Sequence, residues 1–228
     1  MIGPLFLYST SPAPHEAVIL DWARRRRSDP ARPISAVVVQ TPMPEPDDAC
    51  LEGLRSHFCT QGVDVDVTDS GLAARPDALR PAVSDRIAAA DLVLITGGSP
   101  QLLYERTADT PAIDALRAAS DSGAVIAGCS AGAAAFGVGM VIGRGETPRP
   151  IPLWGWLTRT VVAPHFGQYA IEPWLDAFPD CTVLGIPDGA MAFVLGGNDV
   201  QAVGSQPLVL KSRNEVKSIG PSDRALLH

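Results

Sequence analysis

Cysteine is scarce in this chain: Cys50, Cys59, Cys129 and Cys181 are the only four in 228 residues. They form no C-x-x-C pair and no metal-ligand spacing with histidine, which argues against a zinc site, a redox dithiol and a disulfide framework. Scattered thiols suit a reducing compartment, so a cytoplasmic setting is expected. Long apolar runs are missing too. None approaches the ~20 residues of a membrane span, and the amino terminus lacks the charged, apolar and small-residue pattern of a signal peptide. Positive charge is in deficit: 18 Lys and Arg against 25 Asp and Glu leave −7 at pH 7. A general nucleic-acid binder needs a basic face. The one basic run, Arg24–Arg27, closes a predicted helix, where cations meet the carbonyl end of the dipole. Neither a metal, a cofactor, a nucleic acid nor a membrane is an expected partner.

What is present is an alternation of strand and helix. Apolar runs at Leu5–Tyr8, Ile34–Gln40, Asp91–Thr96 and Ala124–Gly128 read as strands, and the continuous β-branched run of Ile34–Gln40 suggests burial on both faces. Val63–Val67 alternates valine with aspartate, as a half-exposed strand does. Helical spacing covers about Pro14–Arg27, Asp47–Thr60, Ala78–Ala90 and Gln101–Ser122, the last interrupted near Pro111. This order specifies a three-layer α/β fold, with a mostly parallel central sheet and helices on both faces. The second half is richer in strands, at Arg159–Ala163, Thr182–Ile186, Ala190–Leu195, Val200–Val203 and Pro207–Lys211, with one helix over about Gln168–Phe178. The length suits one domain spanning residues 1–228.

The chemistry-bearing stretch is Gly128-Cys129-Ser130-Ala131-Gly132, between an apolar strand and an Ala-rich helix. G-x-S-x-G at such a junction is the nucleophile-elbow pattern. The turn is too tight for a Cβ at its flanks, and the serine hydroxyl stands exposed at the apex. Gly97-Gly98 ends another strand and lets a backbone N–H approach a substrate closely. Gly98 and Ala131 N–H groups are therefore candidates for a two-donor oxyanion hole. A glycine turn that merely needs positive φ is the plain alternative for Gly98.

A serine hydroxyl needs a base near neutral pH. Among four histidines, His15 and His57 fall within predicted helices remote from strand ends, and His228 is the last residue. His165 follows the strand Val161-Val162-Ala163-Pro164 directly and is the candidate base. For the acid that orients the imidazole there are two candidates. Asp188, in Gly185-Ile186-Pro187-Asp188-Gly189, follows a regular strand and is preferred. Glu146 would restore the Ser–acid–His order of α/β-hydrolases but lies in an irregular Gly/Pro segment. That segment, Gly137–Trp156, could cover the site or be a surface excursion. Cys129, one residue before the apex, is expected to point away from substrate.

Together, Gly97-Gly98 with Gln101-Leu102-Leu103, Gly128-Cys129-Ser130-Ala131-Gly132-Ala133, Pro164-His165-Phe166 and Gly185-Ile186-Pro187-Asp188 resemble the signature blocks of the peptidase E and cyanophycinase family. These are serine peptidases on a class I glutamine amidotransferase-like, flavodoxin-cored fold. The resemblance spans roughly residues 3–203. It implies Ser130 as nucleophile, His165 as base, an acid at Asp188, a substrate-binding part for Gln101, no metal, a cytoplasmic setting and frequent homodimerisation. After His165 the arginines that hold acidic substrates in cyanophycinase-like members are missing. Arg144, Arg149 and Arg159 are the cations that could replace them, and a less acidic or apolar substrate fits equally.

The expected activity is hydrolysis of a peptide bond in a short peptide, in the manner of an exopeptidase or dipeptidase. The reactive groups are expected at strand ends of one common sheet. Rival readings are a catalytically silent binding protein that kept the elbow, an amidase on a non-peptide amide, and a glutaminase, which the serine at the apex disfavours.

Overall fold

Strand Leu5–Tyr8 (β1) sends Leu5 and Leu7 into one core cluster and Phe6 and Tyr8 into another. That two-sided burial is why its sequence is apolar at every position. The computed structural model describes residues 2–10, 16–26, 29, 31–143 and 148–227. In chain order, β1 is followed by Glu16–Arg26 (α1), Ile34–Val39 (β2), Asp48–Thr60 (α2) and Val65–Asp69 (β3). Next come Pro81–Ala88 (α3), Leu92–Ile95 (β4), Pro100–Thr107 (α4), Pro111–Asp121 (α5) and Val125–Cys129 (β5). A one-turn helix Ala131–Ala134 (α6) leads to the strands Gly139–Ile142 (β6), Arg149–Pro152 (β7) and Thr160–Pro164 (β8). Glu172–Ala177 (α7), Thr182–Ile186 (β9), Ala190–Leu195 (β10) and Asp199–Gly204 (β11) follow. The last strands are Leu208–Lys211 (β12), Val216–Ile219 (β13) and Arg224–Leu226 (β14).

The central sheet has the order β14-β11-β10-β1-β5-β4-β2-β3. Its half from β1 to β3 is parallel; β10, β11 and β14 extend it antiparallel. Helices α1 and α2 supply Ile19, Leu20, Leu51 and Phe58 to the Phe6 side, while α3 and α5 supply Val83, Ile87 and Leu116 to the Leu7 side. The fold is thus mixed α/β, with a mainly parallel sheet flanked by helices.

Local chemistry sets the helix ends. Asp47 caps α2 by accepting from the Ala49 N–H, and Ser99 caps α4 by accepting from the Leu102 N–H. Prolines open α3, α4 and α5, where a missing N–H costs nothing. The helix expected over Ala78–Ala90 is accordingly split by Pro81 into a 3-10 turn, Asp77–Leu79, and α3. Pro111 likewise separates α4 from α5.

Two expectations are corrected. A second sheet, ordered β13-β12-β9-β8, stands apart from the first, so the strands before His165 and Asp188 do not share a sheet with the strand before Ser130. Its β8 sends Val162 towards the Leu7 core and Val161 and Ala163 towards Trp174 and Leu175 of α7. The irregular segment after the elbow contains an antiparallel hairpin, β6 with β7. Val216–Ile219 and Arg224–Leu226 are strands that periodicity did not reveal, being short and mostly exposed.

Candidate active site

Register aligns the carboxyl ends of three strands. Tyr8 pairs with Cys129 and Ile95 with Gly128, so Ser9, Gly97 and Ser130 reach one rim of the central sheet. Pro164 pairs with Ile186 in the second sheet, which sets His165 beside Pro187 and Asp188. The two rims face each other.

The elbow is built by close approach. A Cβ on Gly128 would lie 2.5 Å from the Gly132 carbonyl oxygen, and one on Gly132 would lie 2.5 Å from that of Ile95. Glycine at both positions lets β5 turn into α6 against β4. Ser130 then takes φ 48° and ψ −107°, a conformation L-residues rarely adopt, at a cost of about 1–3 kcal/mol. Its N–H donates to the Tyr8 carbonyl at 2.8 Å, tying the apex to β1.

Ser130 Oγ lies 2.9 Å from His165 Nε2, and His165 Nδ1 lies 2.8 Å from Asp188 Oδ1. The second carboxylate oxygen of Asp188 accepts from Gln168 Nε2 at 2.7 Å. Asp188 occupies the turn Pro187-Asp188-Gly189-Ala190, closed by the Ala190 N–H on the Pro187 carbonyl at 3.1 Å and by Gly189 at φ 83°. His165 is itself left-handed, at φ 55°. Buried Ser9 holds it there: the Ser9 hydroxyl accepts the His165 N–H at 2.8 Å and donates to the Ile186 carbonyl at 2.6 Å. Sequence reasoning missed Ser9 and Gln168. Ser9 gave no signal because its partners are 156 and 177 residues away; Gln168, three residues beyond the histidine, could have been found by asking what satisfies the free oxygen of the acid.

Gly98 is at φ 136°, and a Cβ there would lie 2.4 Å from the Pro42 carbonyl oxygen. Gly98 and Ala131 border the same open cavity of about 790 Å³ as Ser130 and His165. Ala131 opens α6, where a first-turn N–H has no partner within the helix. Because α6 is only four residues long, any stabilisation of an anion here comes from these individual N–H groups rather than from a helix dipole.

Other expected positions fall elsewhere. The Gln101 carboxamide donates to Glu105 at 2.7 Å along α4, and Pro100, not Gln101, borders the cavity. Cys129 faces the opposite side of the sheet, where it borders a separate, mostly apolar cavity of about 280 Å³ with Tyr8, Cys50 and Phe58. Its Sγ donates to the Ser9 carbonyl at 3.6 Å, and burial pushes the thiol up to about 11. His57 contacts the Glu16 carboxylate between α2 and α1. Arg159 donates to the Asp180 carbonyl at the end of β8 away from His165, and Arg149 is exposed on β7. Glu146, Arg144, His15 and His228 lie outside the described residues.

The model of peptidase family S51 matches residues 43–202, which include Ser130, His165 and Asp188. The chain belongs to peptidase family S51. It is therefore a serine peptidase by membership. No curated protein matches the chain. Among solved structures, a peptidase from an acI-B1 Actinobacterium aligns with a TM-score of 0.83 at 19% identity, covering 100% of this chain and 98% of that one. A protein of Listeria monocytogenes EGD-e assigned to peptidase E aligns with a TM-score of 0.57 at 16% identity, covering 90% and 99%. At those identities the two structures show that this S51 chain shares their fold.

Proposed function

We propose that this S51 member is an exopeptidase or dipeptidase that cleaves short peptides through Ser130, His165 and Asp188. The observation that carries the reading is the continuous chain of contacts from Ser130 Oγ to His165 Nε2 at 2.9 Å and from His165 Nδ1 to Asp188 at 2.8 Å. Family membership supports serine chemistry, and the open cavity beside Ser130 supports a small substrate.

Ser130 Oγ attacks the scissile carbonyl carbon while its proton passes to His165 Nε2. Asp188 accepts the Nδ1–H, so the imidazole presents Nε2 as acceptor and its cationic form is stabilised. The Gly98 and Ala131 N–H groups donate to the oxygen that gains charge; loss of one such donor costs roughly 2.7–4 kcal/mol in comparable sites. His165 then returns the proton to the departing amine, leaving an ester on Ser130. Water attacks that ester, His165 takes its proton, and the acid product leaves with Ser130 restored.

The test is hydrolysis of a mixed dipeptide pool, followed by release of free amino acids. Ser130→Ala should retain the native circular dichroism spectrum and lose turnover. Undiminished turnover by that variant rejects the assignment.

A further inference from the structure

The cavity beside Ser130 is walled by two kinds of apolar surface. One wall is β6, whose Met140, Val141 and Ile142 are only half-buried. The other is the ring pair Tyr169 and Trp174, stacked at 5.2 Å and 17°. The Tyr169 hydroxyl donates to the Pro164 carbonyl, next to His165, so this wall is fixed to the catalytic loop. Burial pushes the Tyr169 phenol up and keeps it neutral. Among the described residues that border the cavity, His165 and Tyr169 alone ionise.

We propose that this cavity selects an uncharged apolar side chain, such as that of leucine or phenylalanine, in the short peptide that Ser130 attacks. The inference rests on the peptidase reading above. Apolar atoms left half-exposed on β6 lose water when a substrate side chain covers them, and a fixed aromatic face adds contact area without ordering cost. A carboxylate or ammonium in the same place would shed its hydration with no Lys, Arg, Asp or Glu to meet it among the described residues that border the cavity. A carboxylate would also enter the field of a protein of net charge −7.

The experiment follows the rate at which a fluorophosphonate labels Ser130, with dipeptides as protectors, alongside their hydrolysis. The first and second residues are drawn from Leu, Phe, Ala, Asp and Lys. At one position, Leu or Phe should protect, and be hydrolysed, at least tenfold better than Asp or Lys. In Val141→Lys the ratio of Asp to Leu dipeptides should rise at least fivefold. Labelling that is protected best by charged dipeptides, or equally by all or none, overturns the inference and leaves the serine-hydrolase reading standing. Absence of labelling with absence of hydrolysis overturns both. Should the Val141 variant fail to fold, the wild-type comparison decides alone.

Discussion

Ser9 accepts the backbone N–H of His165 at 2.8 Å, and so links the first strand of the central sheet to the loop after β8 in the second. The same hydroxyl donates to the Ile186 carbonyl, two residues before Asp188, while the adjacent Tyr8 carbonyl accepts from Ser130. One dipeptide at the end of β1 therefore bears on the turns of Ser130, His165 and Asp188 alike. Ser9→Ala leaves a part-buried N–H without its acceptor, at a cost of about 1–3 kcal/mol. The expected result is a folded protein with kcat lowered about 10–100-fold and KM within about threefold of wild type. Equal losses in kcat and in thermal stability at full retention of labelling rate would make Ser9 merely structural.

Asp188 and Gln168 form the outer part of the proposed relay. Asp188→Asn keeps the shape but removes the charge that stabilises the imidazolium and allows the wrong tautomer, so kcat should fall about 10²–10⁴-fold. Gln168→Ala leaves Asp188 in contact with His165 and should cost about tenfold or less. Steady-state kinetics on one good dipeptide separates the two.

Much of the fold was legible because its strands are buried on both faces and its helices begin at prolines or capping side chains. The elbow was legible for a related reason: Gly128 and Gly132 are spaced by a steric demand that leaves a mark in five consecutive residues. The second sheet was not, since β8, β9 and β12 have the same apolar period as the strands of the first, and nothing local says which sheet a strand joins. Ser9 was hidden because its role lies in contacts with residues far along the chain. Gln101 was credited through a resemblance in its block, whereas its own helix supplies its partner, Glu105.

Close packing at the elbow makes a stability test. Gly132→Ala places a methyl group 2.5 Å from the Ile95 carbonyl oxygen, so β4 and α6 must move apart. A loss of about 1–3 kcal/mol is expected, seen as a melting temperature lower by about 3–10 °C. Gly53→Ala, at an open position on α2, is the control and should leave the melting temperature unchanged or slightly raised.

Cys129 gives a pH dependence with a defined sign. Its thiol keeps its proton to about 11 in the folded chain, against an ordinary value of 9.0. Between those values the unfolded chain has released a proton that the native chain retains, so stability is full below pH 9 and falls as pH rises towards 11. The loss reaches about 2–3 kcal/mol. Urea midpoints at pH 8 and pH 10.5 check it, and Cys129→Ala should flatten the slope. Iodoacetamide at pH 8 should reach exposed Cys59 well before Cys129.

The most direct test of the central claim, that residues 130 and 165 make one reactive alcohol, is the intact mass of the protein after brief exposure to a fluorophosphonate at neutral pH. Wild type should gain a single phosphonate, mapped to Ser130 by peptide sequencing, Ser130→Ala should gain none, and labelling of His165→Ala should be slowed at least 100-fold. A mass gain that persists in Ser130→Ala, or a rate indifferent to the loss of the imidazole, would contradict it.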